Sequence, residues 1–398
     1  MRQGWRWFGP HDSVSLDDVR QAGATDIVSA LHEVPIGDAW TNEQVADRKN
    51  LIETTPSGRT PLIWRVVESI PISDKIKREG RSARQDIAAW IASMEALAKN
   101  DVKIICYNFM PVVDWCRTDL DYEISTGATA MYFDQNRFAA FDLHILQRQD
   151  AERDYSEEDR IAARASFEAM SQADIDQLIF NIASALPGST TEPLTIPAFR
   201  DKLETYAQIT PQKLRQNLIE FLEEVTPVAE KLGVYLTLHP DDPPRSLFGL
   251  PRIASTEADY AAIFDAVPSE ANGMCFCFGS LGVRADNDLP KMAKRFASRI
   301  YFSHLRATTR LGDGRSFYEA AHLEGDVDMV ALLRVLVEED RKRDKTRKIV
   351  FRSDHGHRML DDLSKKVTPG YPAIGRLRGL AELRGIITAL DADALCDG

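Results

Sequence analysis

Hydrophobic residues along the chain form eight short runs, separated by longer segments that have a helical repeat. The runs are rich in apolar and β-branched residues, which is typical of buried strands. They cover residues 5–8, 26–31, 61–67, 102–109, 234–239, 273–278, 299–305 and 348–352. Residues 87–98 place apolar side chains at intervals of three and four, as expected for a helix that buries one face. The pattern predicts strands that alternate with helices around a parallel sheet.

The first strand and helix carry recognisable boundary residues. Ser15 precedes Leu16 and can cap a helix, and Gly23 can end that helix. Eight strands with helical crossovers predict an α/β protein with a closed (β/α)8 TIM barrel. An open doubly wound sheet is the alternative, but such sheets usually have fewer strands. A glycine-rich phosphate-binding sequence, which many of them carry, does not follow the first strand.

One interval between predicted strands is much longer than the others. Residues 109 and 234 are separated by far more than the roughly 30 residues of one strand–helix unit. We therefore predict a helical insertion after the fourth strand, at 114–209, within a single catalytic domain that spans residues 1–398. Helices are expected at 157–170 and 175–186, before a stretch rich in Pro, Gly and Thr at 187–197. A surface elaboration without a catalytic part is an alternative interpretation of the insertion.

Composition and charge narrow the possible functions. The 398 residues include 49 Lys and Arg against 61 Asp and Glu, which gives a net charge of −12. This balance disfavours a nucleic-acid partner, because binding to a phosphate backbone needs clustered cations. The sequence contains no apolar run of about 18 residues and no signal-peptide core, so we expect a cytoplasmic protein without a membrane partner. Five cysteines, an odd number, indicate free thiols rather than a disulfide framework.

The candidate chemistry lies at the ends of the last four predicted strands. These strands end in His239, Cys277, His304 and Asp354. In a parallel barrel such ends converge on one face, so the four side chains could bind a single divalent metal. Each residue alone also has an ordinary interpretation: a hydrogen-bonded histidine, a small core residue or a helix cap. The joint pattern is what favours a metal centre.

The donor set indicates the class of metal. A thiolate, two imidazoles and a carboxylate favour Zn or Fe(II), disfavour Mg or Ca, and do not by themselves predict Mn. With an open coordination position, such a metal could hold a substrate oxygen as a Lewis acid. Cys275 shares a strand face with Cys277 and is expected to fill the barrel, whereas Cys106 and Cys396 have no assigned role.

Two residues near the last strand are candidates for acid–base chemistry. His355 follows Asp354 directly, and an imidazole titrates near neutral pH. A loop histidine hydrated by water is the alternative. Tyr371, on a Pro-Gly loop, could donate a proton, orient a substrate or simply pack. The other histidines are expected to support the site, to lie at the surface or to have no assigned role; they are His11, His32, His144, His322 and His357.

Several motifs occur together in the order found in one enzyme family. They are WRWFGP at 5–10, HPDDPP at 239–244, CFGS at 277–280, HLR at 304–306, HLEGDVDM at 322–329, DHGH at 354–357 and PGY at 369–371. On these motifs the chain resembles the mannonate dehydratase family over essentially its whole length. The resemblance implies a metal-dependent TIM barrel that converts D-mannonate to 2-keto-3-deoxy-D-gluconate and water in hexuronate catabolism.

The resemblance also implies roles for individual residues. It implies that Fe(II) or Mn(II) is held by His239, Cys277, His304 and Asp354, and that the acid–base pair is His355 and Tyr371. A homo-oligomer is expected by the same analogy. Two residues depart from the family pattern: Ser353 stands where proline is usual, and Cys116 stands where a hydroxyl residue is expected. Neither departure replaces an implied ligand, so they bear on loop rigidity rather than on the chemistry.

The reaction would need further groups to hold the sugar acid. Arg306 and Asn108, both at predicted strand ends, are candidates for binding its carboxylate or hydroxyl groups, although Arg306 could instead form a structural salt bridge. A metal-dependent sugar isomerase or a dehydratase of a related sugar acid is an alternative function. A protein of another class, in which a closed metal site only stabilises the fold, is a further alternative.

Overall fold

The structure is a computed structural model that describes residues 1–183 and 194–396, the last four by their backbone alone. Its strands are β1 (Arg2–Arg6), β2 (Asp26–Ser29), β3 (Ile63–Glu68), β4 (Ile104–Tyr107), β5 (Asp119–Glu123), β6 (Thr129–Phe133), β7 (Tyr235–Leu238), β8 (Asn272–Cys277), β9 (Ile300–Leu305), β10 (Ala307–Arg310), β11 (Phe317–Ala320) and β12 (Val350–Ser353). Its helices are α1 (Leu16–Ala22), α2 (Asn42–Glu53), α3 (Asp74–Glu79), α4 (Arg84–Lys99), α5 (Gln135–Ala140), α6 (Glu157–Glu168), α7 (Gln172–Ala183), α8 (Ile196–Glu204), α9 (Pro211–Leu232), α10 (Glu257–Ala266), α11 (Phe278–Gly282), α12 (Leu289–Phe296), α13 (Met329–Lys342) and α14 (Ala373–Cys396).

Eight parallel strands close into a barrel in the order β1, β2, β3, β4, β7, β8, β9 and β12. The predicted TIM barrel is therefore confirmed, and each predicted run contains or overlaps one barrel strand. The first run differs most: its strand begins at Arg2 and ends at Arg6, so Trp7 and Phe8 lie in the following loop. These two large side chains pack at the carboxyl end of the strand instead of within the sheet.

The helices follow from the predicted amphipathic and capping residues. In α1, the Ser15 hydroxyl accepts from the Asp18 N–H, and Gly23 ends the helix with φ +80°. The left-handed conformation at this end is one that glycine adopts without steric cost. Helix α4 contains the predicted segment 87–98 and turns Ile87 and Trp90 into the core. No helix in the described part of the chain combines the length and hydropathy required to cross a bilayer.

Side chains fill the barrel interior, so it is not a channel. The residues of this inner cluster are Val28, Val66, Ile104, Cys106, Cys275, Phe302 and Val350. Cys275 thus lies where the alternation along its strand predicts it. Because the interior is packed, ligand chemistry is confined to the ends of the strands, and in TIM barrels the carboxyl end carries it.

The insertion after β4 contains strands as well as helices. Strands β5 and β6 pair with β10 and β11, which follow β9, in an antiparallel sheet ordered β10, β11, β6, β5. The hydrophobic pattern predicted none of these four strands. Helices α6 and α7 correspond to the predicted helices, but residues 184–186 of the second one, and 187–193 of the stretch after it, lie outside the described residues. The shared sheet connects the insertion to the loop that follows β9.

Candidate active site and metal centre

The four predicted metal ligands lie at the carboxyl ends of neighbouring barrel strands. His239 follows β7, Cys277 is the last residue of β8, His304 lies near the end of β9, and Asp354 follows β12. Cys277 and His304 are also direct partners in the register of β8 and β9. The barrel therefore brings together residues that are far apart in the sequence.

Three of these residues form a tight cluster of possible donor atoms. One atom from each of His239, Cys277 and His304 lies within 4.8 Å of the other two. Asp354 is not part of this group, although its Oδ2 lies 3.5 Å from His304 Nδ1. His239 Nε2 lies 3.2 Å from the same His304 nitrogen. An imidazole nitrogen of each histidine and a carboxylate oxygen thus face a common point.

Hydrogen bonds orient the two imidazoles toward that point. His239 Nδ1 lies 2.6 Å from the main-chain oxygen of Pro240, so it carries the proton and leaves the lone pair on Nε2. His304 Nε2 lies 3.4 Å from Glu68 Oε1, which favours the lone pair on Nδ1. A second nitrogen oriented by a carbonyl or a carboxylate is typical of metal-binding histidines.

The other two candidate ligands are also held by polar neighbours. Asp354 accepts from the Arg352 guanidinium and, over 3.1 Å, from the main-chain N–H of His355, both at Oδ1. Burial alone would raise the pKa of Asp354, but the charge of Arg352 keeps it well below its usual range. Cys277 Sγ accepts from the Ser280 hydroxyl over 3.2 Å and lies 3.9 Å from a nitrogen of Arg306. Such donors stabilise a thiolate.

These residues fit a divalent metal ion. His239 Nε2 and His304 Nδ1, the two nitrogens that carry lone pairs, face each other at 3.2 Å, an arrangement that a shared cation would stabilise. Two imidazoles, a thiolate and a nearby carboxylate are a donor set for borderline transition metals. A buried set of this kind is costly to desolvate without a cation to bind it.

The predicted acid–base pair lies beside this cluster. The rings of His355 and Tyr371 meet edge to face with their centroids 5.3 Å apart, and both residues are buried. His355 adopts φ +36°, a conformation that is uncommon outside glycine and frequent at functional sites. Burial, with the nearby charge of Asp354, raises the pKa of Tyr371, so its hydroxyl keeps its proton at neutral pH.

The comparison with known families agrees with this geometry. The family model of D-mannonate dehydratase (UxuA) matches residues 1–396. The chain belongs to the D-mannonate dehydratase family. A mannonate dehydratase from Brucella canis is 80% identical over 99% of this chain and 98% of its own length. One from Chromohalobacter salexigens is 50% identical over 98% of this chain and 99% of its own.

Solved structures support membership of the D-mannonate dehydratase family at the level of the fold. The crystal structure of mannonate dehydratase from Streptococcus suis serotype 2 matches with a TM-score of 0.77 at 28% identity, covering 99% of this chain and 94% of that one. A xylose isomerase-like TIM barrel protein from Mycobacterium smegmatis matches with a TM-score of 0.50 at 12% identity, covering 94% and 87%. The second likeness shows the fold alone. This family is metal-dependent, and the cluster described above is the possible metal site of the chain.

Two residues of the site, Glu68 and Arg352, were not predicted from the sequence. Arg352 binds Glu68 through two hydrogen bonds of 2.8 and 3.1 Å, and both residues contact a candidate ligand. Burial alone would raise the pKa of Glu68, but Arg352 and His304 hold it well below its usual range. The signal that could have found Glu68 is its position at a strand end, because it is the first residue after the predicted strand at 61–67 and is charged.

The histidines at 322 and 357 also support the site. His322 Nε2 lies 2.9 Å from the main-chain oxygen of Asp354, and His357 Nε2 lies 2.8 Å from that of Glu319. Both side chains are buried, so neither is a surface residue. They fix the loop that carries Asp354 and His355.

Proposed function

We propose that the protein is a hydro-lyase that removes water from D-mannonate to give 2-keto-3-deoxy-D-gluconate. The observation that carries this proposal is the cluster of His239, Cys277 and His304 with His355 and Tyr371 beside it, in a chain that belongs to the D-mannonate dehydratase family. The reaction breaks a C–H bond at C2 and the C–O bond at C3. It therefore requires a base, an acid and a means of stabilising negative charge on the carboxylate.

The metal ligands in this proposal are His239, Cys277, His304 and Asp354. Asp354 Oδ2 lies 3.5 Å from His304 Nδ1, so the carboxylate adjoins one member of the three-residue cluster. When bound, a divalent ion would supply Lewis-acid stabilisation of the charge that develops on the substrate. We propose Fe(II) or Mn(II): the thiolate and imidazoles support Fe(II), and Mn(II) rests on the family resemblance.

The acid and base roles follow from the two neighbouring rings. Tyr371 keeps its proton at neutral pH because burial raises its pKa, so it is suited to donate that proton to the leaving C3 hydroxyl. His355 then takes the C2 proton, since a neutral imidazole can accept one near neutral pH. Loss of water leaves an enol across C2 and C3. Tyr371 then takes up the proton of the C2 hydroxyl and His355 returns its proton to C3, which gives the 2-keto-3-deoxy acid and restores both groups.

The substrate-binding roles of Arg306 and Asn108 receive unequal support. Each nitrogen of Arg306 that could face a substrate already donates to a protein carboxylate, with Nε to Glu319 and Nη1 to Asp242. We therefore assign Arg306 to the support of Cys277 rather than to contact with the substrate. Asn108 follows β4 directly and is half-buried, so it keeps its proposed role of binding a hydroxyl or the carboxylate.

Product identification tests this proposal. The metal-loaded protein is incubated with D-mannonate, with its C2 epimer D-gluconate and with its C3 epimer D-altronate, and the products are followed by NMR. We expect the 2-keto-3-deoxy acid from D-mannonate. Formation of that acid only from an epimer would indicate a related sugar-acid dehydratase. The aldose D-mannose is tested alongside, and its conversion to a ketose, without loss of water, would indicate an isomerase instead.

Three further expectations belong to this proposal. The whole chain acts as one catalytic domain, because strands of the segment 114–209 share a sheet with β10 and β11. The protein works in the cytoplasm and as a homo-oligomer, as the family resemblance implies. Sedimentation analysis of the purified protein checks the oligomeric state.

A further inference from the structure

Two arginines and two carboxylates form a closed ring of alternating charge beside the site. Arg117 donates to Asp242 over 2.8 and 3.2 Å and to Glu319 over 2.9 Å. Arg306 donates to Asp242 over 2.7 Å and to Glu319 over 2.6 and 2.8 Å. Each acid thus binds both guanidinium groups. All four side chains are at most 3% exposed, so the ring is shielded from solvent.

The ring is costly to bury, and stability alone does not account for it. Taking four charges out of water costs free energy that their pairing only partly returns, and apolar replacements of buried ion pairs are often neutral or stabilising. The ring is electrically balanced, and the charges of Arg306, His355 and Arg117 overcome the effect of burial to hold the pKa of Glu319 at about 2. Glu319 is therefore a fixed negative charge at neutral pH.

Glu319 connects this ring to the loop that carries His355. Its Oε1 lies 3.2 Å from His355 Nδ1, and its main-chain oxygen lies 2.8 Å from His357 Nε2. One residue of β11 thus contacts two histidines of the same loop, one through its side chain and the other through its backbone. The ring also reaches Cys277, because Arg306 lies 3.9 Å from Sγ and donates to Ser280 over 3.1 Å.

The insertion after β4 supplies part of this arrangement. Arg117 lies just before β5, and its guanidinium carbon is 4.8 Å from the centre of the Phe317 ring on β11. Phe317 in turn stacks on Phe133 of β6 at 5.6 Å, where the two strands pair. The insertion therefore contacts β11 in three ways: β6 pairs with it, Phe133 stacks on Phe317, and Arg117 binds Glu319.

We propose that Glu319 is a positioning residue for His355. The ring fixes the Glu319 carboxylate beside the imidazole, where it favours a proton on Nδ1. The lone pair is then left on Nε2, which lies 3.6 Å from Asp354 Oδ1 and would accept the proton of the substrate. The insertion takes part in this positioning through Arg117 and is not a surface elaboration only. The proposal rests on the proposed function for the role of His355, but the orientation and tautomer of the His355 imidazole can be measured without turnover.

The first test compares two substitutions of buried, arginine-paired carboxylates. Glu319→Gln keeps the size of the side chain and removes its charge. We expect kcat for D-mannonate to fall about 10- to 100-fold, the range known for loss of a partner that orients a metal-binding histidine, with KM and bound metal unchanged. Asp142→Asn is the matched control, because Asp142 is fully buried and binds Arg148 and Tyr155 within the insertion. It should lower Tm but leave kcat at the wild-type value.

A second variant separates position from charge. Glu319→Asp keeps the charge balance of the ring but draws the carboxylate back by one methylene from His355. A lower kcat is expected here too, with wild-type metal content. Wild-type kcat in either folded Glu319 variant, or an equal fall in Asp142→Asn, would overturn the proposal, because a merely structural charge would behave in the same way at both sites.

The imidazole state of His355 gives a readout that does not depend on activity. Protein with ¹⁵N-labelled histidine is loaded with diamagnetic Zn(II), and His355 is assigned by comparison with His355→Asn. We expect the Nδ1–H tautomer in the wild type and a mixture of tautomers in Glu319→Gln. The same tautomer in both proteins would contradict the proposal. If the wild type does not turn over D-mannonate, the proposed function fails while this measurement still decides the role of Glu319.

Discussion

The carboxylate of Glu68 lies 3.4 Å from Nε2 of His304, on the side of the ring opposite the other candidate ligands. Arg352 and Arg6 keep this carboxylate ionised against the effect of burial, which by itself would raise its pKa. A carboxylate in this position orients a metal-binding imidazole and strengthens its donor nitrogen. The relationship gives a role to a residue that no sequence motif indicated.

Glu68→Gln should weaken metal binding. Loss of the negative charge behind His304 is expected to lower the affinity for the metal about 10- to 100-fold, measured by competition with a chelator. Glu79→Gln, an exposed carboxylate at the end of α3, is the control and should bind metal as the wild type does. Equal affinities in all three proteins would mean that Glu68 only pairs with Arg352.

Substitutions at the site should separate ligands from acid–base groups. Cys277→Ser is expected to lose metal and activity together, because its sulfur is one of the three clustered atoms that we propose as metal donors. His355→Asn and Tyr371→Phe should keep the metal while kcat falls about 10²- to 10⁴-fold, the usual contribution of general acid–base catalysis. Metal per chain and kcat are measured on the same preparations. Loss of metal from His355→Asn would identify His355 as a ligand.

Close packing between α14 and the loop after β12 predicts a stability effect. A Cβ at Gly375 would overlap the main-chain oxygen of His357 and lie 2.7 Å from its nitrogen. Gly375→Ala should therefore destabilise the protein by about 1–3 kcal/mol, as overpacking commonly does, and should lower kcat because the loop carries His355. Thermal unfolding and kcat check this expectation.

Gly385 provides the control on the same helix. A Cβ there meets no atom within 4 Å, so Gly385→Ala should leave kcat unchanged and stabilise the helix by up to about 1 kcal/mol. A Gly375→Ala protein as stable and active as this control would show that α14 can move away from the loop at no cost.

Burial of His322 predicts a loss of stability in mild acid. Burial lowers the pKa of His322 from 6.5 to about 4. The unfolded chain takes up a proton as the pH falls below about 6.5, whereas the folded protein does so only near pH 4. The stabilisation is therefore complete above pH 6.5 and is lost between pH 6.5 and 4, at about 1.4 kcal/mol per pH unit.

His322→Gln tests the contribution of this one group. Metal-free protein is used, so that protonation of the ligands does not release metal during the titration. Between pH 6.5 and 4 the free energy of unfolding should fall less steeply with pH for the variant than for the wild type. The difference in slope should correspond to the uptake of about one proton on unfolding. Parallel curves for the two proteins would show that His322 is protonated in the folded state. His32, whose pKa burial lowers to about 3, adds to the slope of both proteins.

The barrel could be predicted from the sequence because its strands are buried on both sides. Strands such as β8, with every residue buried, stand out as apolar runs between amphipathic helices. Strand β5 has no fully buried residue and its sequence is DLDYE, so it has no such signal. It forms because β6 offers a pairing edge, which is a property of the folded chain and not of the local sequence.

The same contrast applies to the site. The candidate ligands could be found because each ends a recognisable strand, and neighbouring strand ends meet on one face of a barrel. The ring of buried charges could not be found in this way, since Arg117 and Glu319 are 202 residues apart. Arg117 precedes β5 and Glu319 lies in β11, two strands that were not predicted. Long-range pairs of buried charges leave no periodic signal in the sequence. Arg306 was recognised as a candidate, and its alternative role in a salt bridge is the one that the contacts support.

The measurement that tests the account most directly is turnover of D-mannonate by metal-free protein reconstituted separately with Fe(II), Mn(II), Zn(II) and Mg(II). We expect 2-keto-3-deoxy-D-gluconate with Fe(II) or Mn(II), little or none with Mg(II), and none with a chelator present. Folded protein that binds Fe(II) and Mn(II) but forms no product from D-mannonate would contradict the proposed function, as would full activity in the absence of any metal.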